Sequence, residues 1–436
     1  MQPAQPKEAP RSEISRIIGI AIPVILAELG WMFMGVVDTI MVGPLGPAAI
    51  GAVSIGNALF DVIGVFGIGL LLGLDTLVSQ AYGAKRQEEC DRWLWQGLYL
   101  AVISSVFLIA AVEASIPLLA WAGLQREVFD VATPYVRTLN WGLLPVLIYS
   151  AFRRYLQSMD DVRPVMFTLL SANLINAFGN WLLIGRYGVE GSGWATSGSR
   201  VYMMLVLGIY AFAKHPRLLR NLNAPRMSQL RRLFMLGAPA GGHILLEVGV
   251  FAAATVLVGR LRTEALAAHH IALQIASTTF MIPLGISSAG AVSVGQAIGR
   301  KDVAAAKRAG WITIALSAGF MSFAALMLFV APRLIVESFT RNAEVLSIAV
   351  PLLFVAGIFQ IFDGIQVSVT GILRGAGDTR TPMFTNLVAH WALGLPTGYF
   401  LCFTLGWGVV GLWTGLSAGL IVVGIFLLVF WARLRL

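Results

Sequence analysis

Apolar stretches of about 20 residues or more recur along the chain, the length a helix needs to cross a hydrocarbon core. They predict membrane spans at 16–40, 48–78, 92–117, 130–152, 164–185, 190–213, 231–258, 264–290, 307–330, 344–371, 382–404 and 408–432. Apolar and polar positions do not alternate with period two in these stretches, so the pattern is that of helices and not of membrane β-strands. The expected fold is an all-α integral membrane protein with twelve transmembrane helices.

The segments between spans set the expected orientation. One side gathers Lys7, Arg11, Arg16, Lys85, Arg86, Arg92, Arg153, Arg154, Arg163, Arg300, Lys301, Lys307 and Arg308. The stretch "KHPRLLRNLNAPRMSQLRR", Lys214 to Arg232, belongs to the same side and contains no acid. The opposite side has the uncharged "GPLGPAAIG" and the sparsely charged "RYGVEG" and "GRLRTE". An excess of Lys and Arg marks cytoplasmic loops, so both termini are expected in the cytoplasm. The opening "MQPAQPKEAPRSEISR" lacks a basic region leading into a short apolar core and reads as a disordered tail, 1–15, rather than a signal peptide. An N-lobe of six spans, 16–213, is then followed by a basic linker, 214–230, and a C-lobe of six, 231–436.

The lobes read as copies. At a separation of 216 residues, Pro23/Pro239, Thr39/Thr255, Gly43/Gly259, Leu45/Leu261, Ile55/Ile271 and Gly69/Gly285 are identical. The "QAYG" from Gln80 meets the "QAIG" from Gln296, and Arg92/Arg308 and Trp95/Trp311 follow without a gap. "DVRPVMFT" from Asp161 aligns with "DTRTPMFT" from Asp378. An even number of spans per copy gives both copies the same orientation, the parallel-repeat architecture of alternating-access carriers.

Composition narrows the function classes. Of 436 residues 57% are hydrophobic and 12% charged, against about 25% charged in soluble domains. The net charge of +9 is assigned to loops, and nucleic acid is not an expected partner because no soluble domain would carry it. Cys90 and Cys402, the only cysteines, offer neither a disulfide framework nor metal spacing.

Charges inside the spans are the candidate chemistry, since each costs about 2.5–3.5 kcal/mol in hydrocarbon and normally faces an interior. Glu28, Asp38, Asp61, Arg200, Glu247 and Asp363 are of this kind. Counting helical rise, Glu28 and Arg200 fall at about equal depth, which predicts a structural ion pair between them. Asp38 lies near the outer end of the first span. Asn176 and Asn180, four apart on one helix face, sit at similar depth, either as an oxygen-rich pocket with Asp38 for a proton or small cation or as helix-joining amides. Glu247 has no matched positive charge in its segment, and His243 lies one turn before it as a lining or hydrogen-bonding group. A zinc site would call for HExxH, which does not occur, and His269 and His270 diverge on a helix. Beside Asp363, Gly364 permits close helix approach or local unwinding.

"GWMFMGVVDTIMVGPLG", the paired "QAYG" and "QAIG", and "DGIQVSVTGILRGAGDTRTPM" resemble the multidrug and toxic compound extrusion transporters, most of all the NorM-type bacterial branch. The resemblance covers the chain from about Arg16 onward. It implies two six-helix lobes forming a V around a central cavity, in a bacterial inner membrane, and drug export driven by inward Na⁺ or H⁺. It places the family's cation-site acids on Glu247, Asp363 and Asp38, with Asn176, Asn180 and Thr196 at neighbouring polar positions. His243, Phe359 and Gln360 are supporting positions. Some members have Asp at Asn180 and some Tyr at Phe359, and each loss removes an oxygen. Sodium is expected as the coupling ion, with the proton as the alternative, and the substrates are expected to be lipophilic organic cations held by acids, aromatic faces and thioethers. A monomer without cofactor is expected. A lipid-linked saccharide flippase, a major-facilitator carrier and an intramembrane metalloenzyme are the competing readings.

Overall fold

In the computed structural model, residues 13–121, 126–220 and 223–435 are described. Lys7 and Arg11 of the tail and the side chain of Asp61 lie outside them. The described residues form twelve rods that run back and forth between two faces. The first is α1 (Glu13–Val42), ending in a short 3₁₀ turn. The second is α2 (Pro47–Leu71) continued by α3 (Gly73–Gly83), and the third is α4 (Gln87–Trp121). The fourth is α5 (Arg126–Trp141) continued by α6 (Leu143–Ser158). Then come α7 (Arg163–Tyr187) and α8 (Val189–Lys214), and the short α9 (Arg217–Arg220) leads to the second lobe. That lobe has α10 (Met227–Val258), α11 (Thr263–Gly299), α12 (Val303–Val330) with the short α13 (Pro332–Glu337), and α14 (Ala343–Ala376). Its eleventh rod starts as α15 (Arg380–Asn386), widens into a π-helix over Leu387–Gly394, narrows in α16 (Leu395–Tyr399), and widens again over Phe400–Thr404. The last rod is α17 (Gly408–Arg433). The face that carries both described chain ends and the basic connections is called the basic face below.

Ten rods are long and apolar enough to cross a membrane by themselves. The fourth and sixth are the exceptions, because they carry Asn140, Arg153, Arg154 and Gln157, and Ser192, Thr196, Ser199 and Arg200. All eight side chains are buried among the other helices of the lobe, which is where polar groups at membrane depth are tolerated. Several boundaries depart from the sequence expectation. Glu13–Ser15 already belong to α1, and 227–230 of the expected linker already belong to α10. The second and eighth rods extend to Gly83 and Gly299, past the expected ends at 78 and 290.

Those extensions are where the lobes meet. A β-carbon on Gly83 would collide with the carbonyl of Gln296, and one on Gly299 with the carbonyl of Gln80. Since 80 + 216 = 296 and 83 + 216 = 299, the two "QA-G" motifs pack on each other reciprocally. Deeper in the interface Gly69 meets Gly241 and Gly285 meets Ile25, again equivalent pairs because 25 + 216 = 241. The turns that leave the two motifs match as well, with Lys85 and Lys301 both left-handed at φ 60°. The lobes are therefore related by a pseudo-twofold axis that passes through this contact.

Polar contacts seal the same end. Asp75, fully buried, lies 3.5 Å from Arg154 of its own lobe and 3.3 Å from Arg374 of the other. Thr76 donates to the Arg374 carbonyl, and Gln80 to the Gly375 carbonyl at 3.1 Å. Gln296 donates to the Ser158 carbonyl at 2.9 Å and to Asp160 at 3.0 Å, and Arg16 bonds both Asp160 and Gln296. Every hydrogen bond and close glycine contact between the lobes among the described residues lies between the basic face and the level of Gly241 and Gly285.

Two substitutions test this seal. Gly299→Val overfills a contact with no spare volume, at a cost of about 1–3 kcal/mol. Asp75→Asn leaves buried guanidiniums uncompensated, at about 3–5 kcal/mol. In a Cys90→Ser/Cys402→Ser background, Ser79→Cys, otherwise buried, should react with a membrane-impermeant maleimide several-fold faster from the basic face in either variant. Equal rates would mean that this contact does not hold the lobes together.

Candidate functional site

Asp38 sits near the far end of α1, where α7 and α8 close around it. Asn180 Nδ2 donates to Asp38 Oδ1 at 2.6 Å and Asn176 Nδ2 to the same oxygen at 3.0 Å, while Thr196 Oγ1 donates to Oδ2 at 2.8 Å. All four side chains are buried. One turn nearer the basic face, Asn173 donates to the Gly30 carbonyl at 2.9 Å and ties α7 to α1. One helix face thus supplies both a joining amide and amides that address an acid. As placed, three neutral donors satisfy an ionised carboxylate. Asn180 Oδ1 is buried without a hydrogen-bond partner among the described residues, and a half-turn of the two amides would aim their oxygens at Asp38. Carboxylate, amide and hydroxyl oxygens together are the ligand type a hard cation takes.

Of the second-lobe acids, Glu247 accepts through Oε1 from Gln366 Nε2 at 3.0 Å. Gln366 is three residues beyond Asp363 and so shares its face of α14. Asp363 is buried and makes no hydrogen bond among the described residues, but it lies close enough to Glu247 for the two charges to act on each other. A rise count from the expected span ends leaves these acids at different depths. Gly364 serves close packing rather than unwinding, because α14 is continuous and a β-carbon there would press on Met321 of α12.

Two histidines flank the pair. His243 Nε2 is 3.6 Å from Glu247 Oε2. His390, on the π-helical stretch, is buried with neither ring nitrogen hydrogen-bonded among the described residues, and it lies within electrostatic reach of Glu247. Its neighbour Trp391 fixes that stretch to α10 by donating to the Leu246 carbonyl at 3.0 Å. A π-turn inserted in a helix re-aims the side chains around it.

The supporting positions divide. The ring of Phe359 lies against Trp413, with centroids 6.0 Å apart. Trp413 donates to His269 Nδ1 at 2.9 Å, and His269 Nε2 is 2.9 Å from Thr255 Oγ1, whose own proton goes to the Phe251 carbonyl. The proton of His269 is therefore on Nε2, and both nitrogens are committed to packing. Gln360 donates to Thr279 Oγ1 at 2.9 Å, toward α11 and not toward the acids.

The expected Glu28–Arg200 pair is not formed. Glu28 binds Arg153, and both are nearly buried. The Arg200 guanidinium lies 4.0 Å above the ring of Phe60 and donates to the Leu139 carbonyl at 3.3 Å. The count failed because Arg153 and Arg154 read as loop charges, whereas α6 continues to Ser158 and carries both into the lobe. Gln366, His390, Arg153, Asp75 and Arg374 were the residues that sequence reasoning missed. The spacing of Gln366 from Asp363 and the lone histidine in "LVAHWALG" were the available signals.

Residues 23–182 and 239–400, one block in each lobe, match the MatE family model. A probable multidrug resistance protein NorM of Mesorhizobium japonicum is 33% identical, over 98% of this chain and 95% of its own length. Its counterpart in Brucella suis is 34% identical, over 94% and 91%. The crystal structure of the eukaryotic MATE transporter AtDTX14 superposes with a TM-score of 0.89 at 22% identity, covering 97% of this chain and 96% of that one, a likeness of fold. Matched in both lobes, and with relatives of this identity along nearly its whole length, the chain belongs to the MatE family.

Proposed function

We propose that this chain is a cation-coupled antiporter that exports lipophilic organic cations across the bacterial inner membrane by alternating access, its basic face in the cytoplasm. The observation that carries the reading is the Glu247–Asp363 pair, a half-buried and a buried carboxylate within electrostatic reach whose only hydrogen bond among the described residues comes from a neutral amide. Like charges repel strongly away from water, and a proton, a metal cation or an organic cation relieves that repulsion. Competition between the incoming ion and the outgoing substrate for the same acids is the coupling. One charge entering down 100 mV supplies about 2.3 kcal/mol, to which a concentration gradient adds. With the basic face cytoplasmic, the arrangement described above is closed inward, and return requires the Asp75–Arg374 contact and the "QA-G" packing to part.

The donor set moves the choice of ion toward the proton. Phe359 contributes no oxygen, Gln360 is turned to Thr279, and the groups beside Glu247 are two imidazoles and an amide. A hard cation wants several oxygens, so the second-lobe site suits H⁺ better than Na⁺. The Asp38 site is the one whose oxygens could hold a metal ion. A saccharide-pyrophosphate flippase would need a cationic cavity, but Arg153 is taken by Glu28 and Arg154 and Arg374 converge on Asp75.

In proteoliposomes without Na⁺, a pH step should drive efflux of a lipophilic cationic dye. Efflux that requires an Na⁺ gradient at clamped pH and ignores the pH step would return the assignment to sodium, and dye movement under neither gradient would defeat the antiport reading. Glu247→Gln and Asp363→Asn should each reduce driven efflux at least tenfold, about 1.4 kcal/mol in rate terms, with membrane expression unchanged. Parental efflux by either variant would reduce that acid to a packing role.

A further inference from the structure

The basic face contains a groove of about 650 Å³ between the first turns of α10 and the turn joining α14 to α15. Arg231, Arg232 and Met235 line it from one side and Asp378 and Arg380 from the other. The one acid is already engaged, because Asp378 Oδ1 accepts from the backbone N–H groups of Arg380 and Thr381 at 3.1 and 3.0 Å, and Oδ2 accepts from Thr381 Oγ1 at 2.6 Å. Arg231 and Arg380 have no acidic partner among the described residues, and Arg232 is stacked 5.6 Å from the ring centroid of Trp93 in the other lobe. Three guanidiniums from two segments, with the local carboxylate used as a helix cap, form an anion site that suits phosphate.

The apolar surface beside it selects the kind of phosphate. Both α10 and α15 run inward from the basic face. One turn deeper than Arg231, Phe234 and Met235 are 47% and 43% exposed, and one turn deeper than Arg380, Phe384 is 56% exposed. Guanidiniums at the level of headgroups with exposed aromatic rings just below match a molecule that has an anionic head and a hydrocarbon tail. A free soluble anion would have no use for the apolar step.

We propose that this groove binds one anionic phospholipid, its phosphate held by Arg231, Arg232 and Arg380 and an acyl chain lying along Phe234 and Phe384. Because Arg232 also rests on Trp93, the bound headgroup sits where the two lobes adjoin, and its retention depends on how they are arranged.

The test uses the full-length protein in detergent, offered phosphatidylglycerol or phosphatidylcholine and weighed intact by native mass spectrometry. The parent should keep one phosphatidylglycerol against excess phosphatidylcholine. Arg231→Gln/Arg380→Gln should lose that preference by about tenfold or more, and Arg231→Lys/Arg380→Lys should keep part of it. Melting temperatures equal to the parent's in phosphatidylcholine establish that the variants are folded, and Arg380→Gln alone gives the same reading if the double variant is not. Unchanged phosphatidylglycerol retention in the glutamine variants would overturn the proposal. Displacement of the lipid by millimolar inorganic phosphate would overturn it too, by showing that the groove is a site for a soluble anion.

Discussion

The structure depends on one steric constraint, the space between the two "QA-G" motifs. Gly83 faces a backbone carbonyl and Gly299 faces its repeat equivalent, each with no room for a side-chain carbon. Lipid offers apolar surface as readily as protein does, so helices in a membrane are held by close backbone approach and polar contacts rather than by water exclusion. The lobes follow this rule. Beside apolar packing of α1 on α11, their join contains glycine, Ser79, Thr76, Gln80 and Gln296, with Asp160 and the buried Asp75, the latter reached by arginines from both lobes.

The pseudo-twofold axis governs packing but not chemistry. At the repeat separation of 216, Glu247 corresponds to Trp31 and Asp38 to Ala254. The first lobe surrounds a single carboxylate with amides and a hydroxyl, and the second gathers two carboxylates, two imidazoles and an amide. Two like scaffolds thus carry buried polar clusters of unlike composition.

The architecture was largely legible in the sequence because membrane spans are long and a gap-free internal repeat is hard to miss. The Asp38 cluster was legible too, since "NLINAFGN" places its amides on one face. The errors share a cause. Hydropathy marks a polar residue near a span end as loop, so Ser79, Gln80, Ser293 and Gln296 were cut from their helices, and Arg153 and Arg154 were assigned to the aqueous surface. The structure buries all of them or packs them between lobes. Partner choice among buried charges cannot be read from depth alone, because it depends on which helix faces turn toward each other. Arg153 of α6 rather than Arg200 of α8 thus holds Glu28.

The polarity of the fourth and sixth rods bears on how the chain enters the membrane. Neither is apolar enough to partition into lipid on the strength of its own sequence, and each becomes tolerable only when its polar groups are met, Arg153 and Arg154 of the fourth by Glu28 and Asp75, and Thr196 and Arg200 of the sixth by Asp38 and the carbonyl of Leu139. A newly made fourth rod therefore has to wait beside the first and second at the insertion machinery instead of diffusing away. The sixth cannot settle until the amides of the fifth and the acid of the first are in place beside it. The buried polarity of the N-lobe thus imposes an order of assembly in which helices leave the translocon as a group.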